Sequence, residues 1–487
     1  MAEERGQKRL WKLSLKAWTI ILVAFCERFC FYGILNPLQN YLQLQDEPGN
    51  GKSGIGLGQS RATALSYVFT VLYGTMPIVG GILADGRIGP RKTVSCALVV
   101  YTLGVMVLVL TSSPIATSRG AKLGGFILAI LLLGPGIGWV RPNWSAWLGA
   151  QCQADHKHEN EVEKTSTGSE SLEMLLQHAY SVLYWMANAG ALSGIATTLI
   201  EKHVGFWLAF LLPLIGILTS MVLFFTTLDH QTLEAREKSG LRTNLKIVWK
   251  GITSGFDLEK VKNEQDAAGA MQVTNVQDAL RICRIFVCFV PFMLCMSQVN
   301  NNLISQAGQM QTYGVPNDLL FNLNPIFCVI LIPCLDKGLY PLLRHFNIPF
   351  GSMARIKAGL AAAALTMLYT LGIQIWIYKS PPCYRFALDC SPSAEPNHVK
   401  VFVQIPTYAL LALSEIFCVV SAMSYAFEHS PDSMKSLVQA LFMSTEAVSA
   451  LIGIALSPLA QNPRLLVLYG VLSGVVAVNT VVFAVIY

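Results

Sequence analysis

The chain has 487 residues, of which 53% are hydrophobic and only 13% charged, and its formal net charge is +6. A soluble domain carries about 25% charged residues, and a soluble chain of this length would split into about two or three domains, each needing a polar coat. Those residues are missing, so the composition excludes a soluble globular protein and points to lipid as the surrounding medium. The N-terminus is basic and its first apolar run is long enough to span, so no cleavable signal peptide is expected.

A spanning helix needs about 20 apolar residues. In chain order, apolar runs predict twelve spans: 17–42, 61–84, 93–112, 122–149, 175–200, 204–227, 284–307, 318–342, 355–378, 402–427, 436–459 and 465–486. Several carry Gly or Pro, which membrane helices tolerate where neighbours satisfy the freed backbone groups. The longest polar stretch, 228–283, follows span 6. The expected organisation is a cytoplasmic N-terminus (1–16), a six-helix half (17–227), a cytoplasmic linker (228–283) and a second six-helix half (284–487). The linker is expected to hold an amphipathic helix around Leu241–Ile252. This layout predicts an all-α membrane protein with the twelve-helix major facilitator fold, built as two six-helix bundles. With both termini cytoplasmic, about 24 Lys and Arg lie inside and about nine outside, with two inside spans; the opposite orientation inverts the bias. The predicted location is a multi-pass protein, at the plasma membrane.

Ionisable groups inside spans are expensive and mark functional candidates. Four stand out: Glu27 and Arg28 in span 1, Arg141 in span 4 and Glu415 in span 10. Two acids and two bases balance and can neutralise one another in a polar cavity, or pin helices as fixed ion pairs. Glu446 and Asp336 are weaker candidates. Uncharged polar groups gather in the same region: Tyr184 and Asn188 in span 5, Asn324 before Pro325 in span 8, and Gln404, Tyr408 and Ser414 in span 10. In span 7, Gln298, Asn301 or Asn302, and Ser305 recur at helical spacing. Individually these groups suit interhelical hydrogen bonds; together they suit the lining of a wet site at mid-membrane.

Other signals have plainer readings. The twelve cysteines lie mostly in apolar runs and form no zinc-type pairing. Cys383 and Cys390 are the two in a predicted outer loop, where disulfides are permitted, and are expected to form a bridge. The glycine-rich string GPGIGWVRPNWS (134–145) has no preceding strand and no following GK[ST], so close helix packing explains it better than a phosphate loop. The sequon Asn143-Trp144-Ser145 lies at bilayer depth and is expected to stay unmodified. No nucleophile–base set, metal cluster or cofactor loop is present, so neither an enzyme nor a cofactor is expected, and no nucleic-acid partner.

AFCERFCFYG (24–33) resembles the ExxERFxYYG signature of helix 1 in the proton-dependent oligopeptide transporter (POT/PTR) family. Further matches follow in family order: Gly81, Ala84, Asp85, Gly89 and Thr93; GIGWVRPN (136–143); LYWMANAGAL (183–192); Asn324-Pro325 with Pro333, Asp336 and Tyr340-Pro341; SEIF (414–417); and MKS (434–436). ISQAGQM (304–310) and VPND (315–318) resemble the fungal branch. The resemblance implies proton-coupled transport of di- and tripeptides or peptide-like compounds by alternating access, with peptide, protons and the bilayer as partners. It implies proton coupling at Glu27, Arg28 and Arg141. It places Tyr32, Asn188 and Asn324 near the substrate, and Glu415 at the peptide's amino end. Gln298 and Asn301 join them as substrate candidates from the polar face of span 7.

The chain departs from the family pattern at several points. Ala24 stands where the first Glu of the signature would be, Phe31 replaces a Tyr, Trp139 a Gly, and Arg141 the helix-4 Lys. An arginine cannot give up its proton at accessible pH. These changes keep open a carrier or exporter of a peptide-derived natural product with weakened coupling. A non-transporting sensor is expected to show a large added cytoplasmic domain, which this sequence does not.

Overall fold

The computed structural model describes residues 13–43, 54–57, 59–85, 88–113, 118–163, 169–227, 267–300, 302–313, 317–386, 396–431, 434–456, 459 and 462–487. The linker residues around Leu241–Ile252, and also Asn301 and Cys390, lie outside them.

The described residues are almost wholly helical. Seven helices cover the first six predicted spans: α1 (Leu15–Gln43), α2 (Gln59–Asp85), α3 (Pro90–Ser112), α4 (Arg119–Glu163), α5 (Ser169–Ala191), α6 (Ser193–His203) and α7 (Phe206–Thr227). Span 5 is therefore two helices interrupted at Leu192. Span 7 comprises α8 (Ala267–Val287), α9 (Phe289–Met296), a 3-10 turn (Ser297–Asn300) and α10 (Asn302–Gly308). Span 8 is a 3-10 turn (Asn317–Asn322), α11 (Leu323–Cys334), a π-helical turn (Leu335–Leu339) and α12 (Tyr340–His345). The last four spans are α13 (Ser352–Lys379), α14 (Ile405–Glu415) continued through a π turn (Ile416–Val420) into α15 (Ser421–His429), α16 (Lys435–Leu456) and α17 (Leu465–Ile486). Among the described residues, nine helical segments are long and apolar enough to cross a membrane, or ten if the α8–α9 pair is one span. The shorter Val68–Ala84 stretch of α2 is also apolar.

Two boundaries differ from the hydropathy reading for a physical reason. Span 4 was expected to end near 149, yet α4 runs to Glu163. The sequence there turns polar without a helix breaker, so the apolar span ends and the helix does not. Helix α8 begins at Ala267, inside the polar stretch, because Val273, Val276, Ala279 and Ile282 form a buried stripe at helical spacing.

By packing, the chain divides into two compact units. The first holds the described residues of Met1–Leu183, Ala196–Val287 and Met423–Thr445. In it α4 packs on α2 and α3, and α1 on α7. The glycine string of α4 serves this packing: a Cβ on Gly136 would lie 2.7 Å from Tyr101 Cα. At the start of α3, Gly89 takes φ 82°, a conformation that glycine adopts without strain, and Pro90 occupies the first turn, where its missing N–H costs no helical hydrogen bond. Residues 423–445 join this unit through Lys435, whose Nζ donates to Gln153 Oε1 at 3.1 Å and sits 4.1 Å from the Phe427 ring.

The second unit holds Tyr184–Ile195, the described residues of Cys288–Ala422, and Glu446–Tyr487. In it α13 packs on α14 and α17, and α11 on α14. Two short parallel strands, β1 (Met310–Gln311) and β2 (Asn397–Lys400), pair with Met310 opposite Asn397. The α13–α14 approach needs Gly359, where a Cβ would lie 2.6 Å from Cys418 Sγ. The carbonyl of Gly359 then accepts from Ser414 Oγ at 2.6 Å.

Candidate functional site

The first cluster lies in the first unit, on α1, α2 and α4. Glu27 is fully buried. Neighbours in sequence do not face each other on a helix, yet the long Arg28 side chain folds back onto Glu27. Its Nε donates to Oε2 at 2.7 Å and its Nη2 to Oε1 at 2.9 Å. This bidentate fork gives a charge-assisted pair with both carboxylate oxygens engaged. The Arg28 guanidinium carbon lies 5.0 Å from the Phe31 ring centroid, one turn on. Arg141 reaches the same ring from α4, at 4.1 Å, and the Tyr73 ring of α2 at 5.1 Å. Phe31 meets Tyr73 edge-on at 5.2 Å and Tyr32 at 5.0 Å. Glu27, Arg28, Arg141 and Tyr32 therefore gather around one aromatic ring. The planar, weakly hydrated guanidinium suits such stacking. A phenylalanine provides the ring face without offering a hydroxyl to compete for the carboxylate.

The second cluster lies in the second unit and centres on Glu415, the last residue of α14 before its π turn. Such turns frequently mark functional positions. Glu415 is half-buried. Tyr184 donates its hydroxyl to Oε1, and Asn324 Nδ2 donates to Oε2 at 2.7 Å. Cys328, one turn beyond Asn324 on α11, offers its thiol to Oε2 at 3.8 Å. All three donors are neutral, and among the described residues no cation pairs with Glu415. Asn188 Nδ2 donates to the Tyr184 carbonyl at 3.0 Å, which places it one turn beyond the tyrosine. Pro333 has no N–H, so the carbonyl of Val329 loses its helical partner; Trp185 Nε1 takes that place at 2.8 Å. The proline break in α11 thus anchors the 184–195 segment beside Glu415. Asn324 Oδ1 is buried without a hydrogen-bond partner among the described residues.

The remaining predicted residues are placed differently. Gln298 Nε2 donates to the Leu294 carbonyl at 2.8 Å, and its Oε1 accepts from Asn302 Nδ2 at 2.5 Å. Gln298 and Asn302 therefore pair along span 7, and Gln298 makes no hydrogen bond to Glu415. Asn301 lies outside the described residues. Cys383 is disulfide-bonded, and Cys390 lies outside the described residues. Asn143, in the sequon, is fully buried and donates to the Trp139 carbonyl at 2.6 Å.

Residues 91–472 match the POT family. The chain belongs to this family. It is 34% identical over 468 residues to the probable peptide transporter ptr2 of Schizosaccharomyces pombe, a match covering 93% of this chain and 74% of that protein. It is 31% identical over 464 residues to the peptide transporter PTR2 of Saccharomyces cerevisiae, covering 93% of this chain and 75% of that protein. A crystal structure of an auto-inhibited POT family peptide transporter matches with a TM-score of 0.65 at 21% identity, over 97% of this chain and 96% of that one. The fold is thus the all-α, twelve-helix major facilitator fold of POT-family membrane transporters, as the hydropathy pattern predicted.

Two features of this POT-family chain escaped sequence reasoning. Cys328 read as a small core residue because its neighbours in sequence are apolar. Its helical offset of four from Asn324 was the available signal. The ring of Phe31 read only as a lost hydroxyl, since a platform shared by two arginines needs α1, α2 and α4 placed together.

Proposed function

We propose that this POT-family chain is a proton-coupled secondary transporter of small peptides, di- and tripeptides or peptide-like compounds, working by alternating access. The observation that carries this reading is the Glu415 carboxylate. It is oriented by three neutral donors and has no cation partner among the described residues. A half-buried negative charge without a counter-ion is costly to maintain, and a peptide's ammonium group is the cation that fits it. Glu27 is the acid placed to exchange a proton, because Arg28 and Arg141 stay charged and Ala24 has nothing to titrate. Asn188 and Asn324 are proposed substrate-binding residues beside Glu415, and Tyr32, Gln298 and Asn301 are proposed substrate-binding residues on the sequence pattern alone. The relatives named above are peptide transporters, which supports the same substrate class. The positive-inside bias supports cytoplasmic termini and a cytoplasmic 228–283 stretch, and the plasma membrane is the proposed location.

Uptake of a labelled dipeptide into proteoliposomes tests the reading. Accumulation above equilibrium is expected with an inward proton gradient, and simple equilibration after the gradient is collapsed. Equal levels under both conditions refute the coupling. No uptake under either refutes the peptide substrate.

A further inference from the structure

The proposed substrate site leaves the ISQAGQM string (304–310) unused, and the structure gives its two glutamines a shared task. Gln404 Nε2 donates to Gln306 Oε1 at 3.0 Å, Gln306 Nε2 to Gln374 Oε1 at 2.9 Å, and Gln374 Nε2 to Gln309 Oε1 at 3.0 Å. Gln309 Nε2 then donates to Asn462 Oδ1 at 3.2 Å, where the Tyr378 hydroxyl also arrives at 2.7 Å. The result is a head-to-tail chain in which each glutamine donates to the next side chain. Gln306, Gln374 and Gln404 are fully buried, and Gln309 nearly so. In a low-dielectric interior aligned hydrogen bonds reinforce one another, and a half-satisfied set is worse than none. The chain is therefore kept or lost as a whole.

Its connections are specific. Gln306 and Gln309 sit on α10 and the residue after it. Gln374 and Tyr378 sit one turn apart on α13, Gln404 just before α14 and Asn462 just before α17. Gln306 Nε2 also reaches the Thr370 carbonyl at 3.2 Å, and Gln404 Nε2 the Leu303 carbonyl at 2.9 Å. The backbone adds a further tie, Asn397 N–H to the Gln309 carbonyl at 2.9 Å, at the β1–β2 pairing. On the other side of Asn302 the span is built differently. Ser297–Asn300 is a 3-10 turn, whose poorer hydrogen-bond geometry often marks a hinge. It carries Gln298, whose amide holds Asn302, while Tyr469 donates its hydroxyl to the Asn302 carbonyl at 2.9 Å.

We infer that this amide chain makes the Asn302–Gln311 segment one rigid body with the adjoining ends of α13 and α14 and with the turn before α17. Movement of span 7 is then taken up at Ser297–Asn300, beside Gln298. Gln306 and Gln374 are positioning residues: they fix the far side of the hinge on which a substrate-site candidate sits. The inference rests on the transport reading, and its test separates the two.

The double variant Gln311→Cys/Lys400→Cys, at paired positions of β1 and β2 that leave the amide chain intact, is oxidised in the full chain in proteoliposomes and the cross-link verified by peptide mapping. Two parts of one rigid body can be cross-linked without cost, so about half or more of the uptake before oxidation is expected to survive. Loss of uptake on cross-linking, restored by reductant, overturns the inference. Unmodified protein in parallel vesicles reports on the transport reading: if it takes up no dipeptide, that reading fails instead. Spin labels at Gln311, inside the proposed rigid body and outside the amide chain, and at the exposed Trp376, with the exposed Cys96 and Cys334 replaced by serine, leave the amide chain intact. Their distance distribution is expected to stay fixed with and without dipeptide and at acid and neutral pH; a shift under either change overturns the inference even if the cysteine pair is inactive. Gln374→Leu strands both Gln306 and Gln309, and is expected to lower the maximal uptake rate about tenfold with KM within about twofold. Less folded protein with unchanged uptake per folded molecule would assign the amides a purely structural role and overturn the inference.

Discussion

On the proposed assignment of the proton to Glu27, Glu27→Gln should separate proton coupling from peptide movement. The substitution keeps the side-chain shape and one acceptor oxygen, removes the charge, and turns the other oxygen into a donor facing a guanidinium. In the structure both oxygens of Glu27 accept from Arg28, at 2.7 and 2.9 Å, and the two side chains are 1% and 15% exposed. Removing one partner of a buried pair costs about 3–5 kcal/mol. The retained amide oxygen, and the aromatic ring that also faces Arg28, put the expected loss of stability near about 3 kcal/mol. The variant should therefore remain folded but unfold at lower temperature. Its transport phenotype follows from the thermodynamics of coupling. One proton per peptide, moving down a gradient of about one pH unit, supplies about 1.4 kcal/mol and sustains about tenfold accumulation. Without a group that gains and loses the proton, the internal-to-external ratio should settle at about one. The assay is paired: gradient-driven uptake, and counterflow between vesicles preloaded with unlabelled dipeptide and labelled dipeptide outside. Gradient-driven accumulation should vanish and counterflow should persist, the latter showing that the variant is folded and cycling. If Glu27→Gln still concentrates dipeptide at low external pH, the proton uses another group, and Glu415 is the next to test.

Glu415→Gln should weaken binding of peptides with a free amine about tenfold or more, the worth of one charge-assisted hydrogen bond, and change N-acetylated peptides far less; equal losses in competition assays would assign Glu415 to holding the helices. Phe31→Leu removes the ring that lies 4.1 Å from Arg141 and 5.0 Å from Arg28, so it should destabilise the protein by about 1–3 kcal/mol in thermal unfolding, whereas Phe31→Tyr should cost much less; equal losses for both refute the cation–π account. In the loop proposed to face outward, thiol labelling of intact cells should modify neither Cys383 nor Cys390 until a reductant is added, and modification of both without it rules out the proposed bridge.

Much of this protein is legible in its sequence because a membrane imposes rules that composition must obey. The low charge content, the apolar runs and the Lys and Arg bias follow from the cost of placing polar groups in lipid, so they reveal the all-helical spanning architecture without any contact being known. The same cost makes Glu27, Arg28, Arg141 and Glu415 conspicuous: a charge within an apolar run must have a reason to be there. The sequence also marks where helices change, at Pro325 and Pro406, each in the first turn of an α-helix that follows a 3-10 turn, and at the polar run of span 7. It does not carry what each freed or charged group meets. That Arg28 turns back on its own neighbour while Arg141 stacks on Phe31 and Tyr73 depends on three helices meeting. That Trp185 fills the carbonyl freed by Pro333, and that Cys328 joins Asn324 on Glu415, depends on segments far apart in the chain being packed together. The glutamines show the same limit. In the sequence Gln404 reads as one of the polar groups of a mid-membrane site, Gln306 and Gln309 as part of the 304–310 string, and Gln374 as nothing in particular. Only the tertiary structure aligns their donors and acceptors into one chain, because a side-chain amide can be satisfied by many partners and its sequence neighbours say nothing about which one it takes.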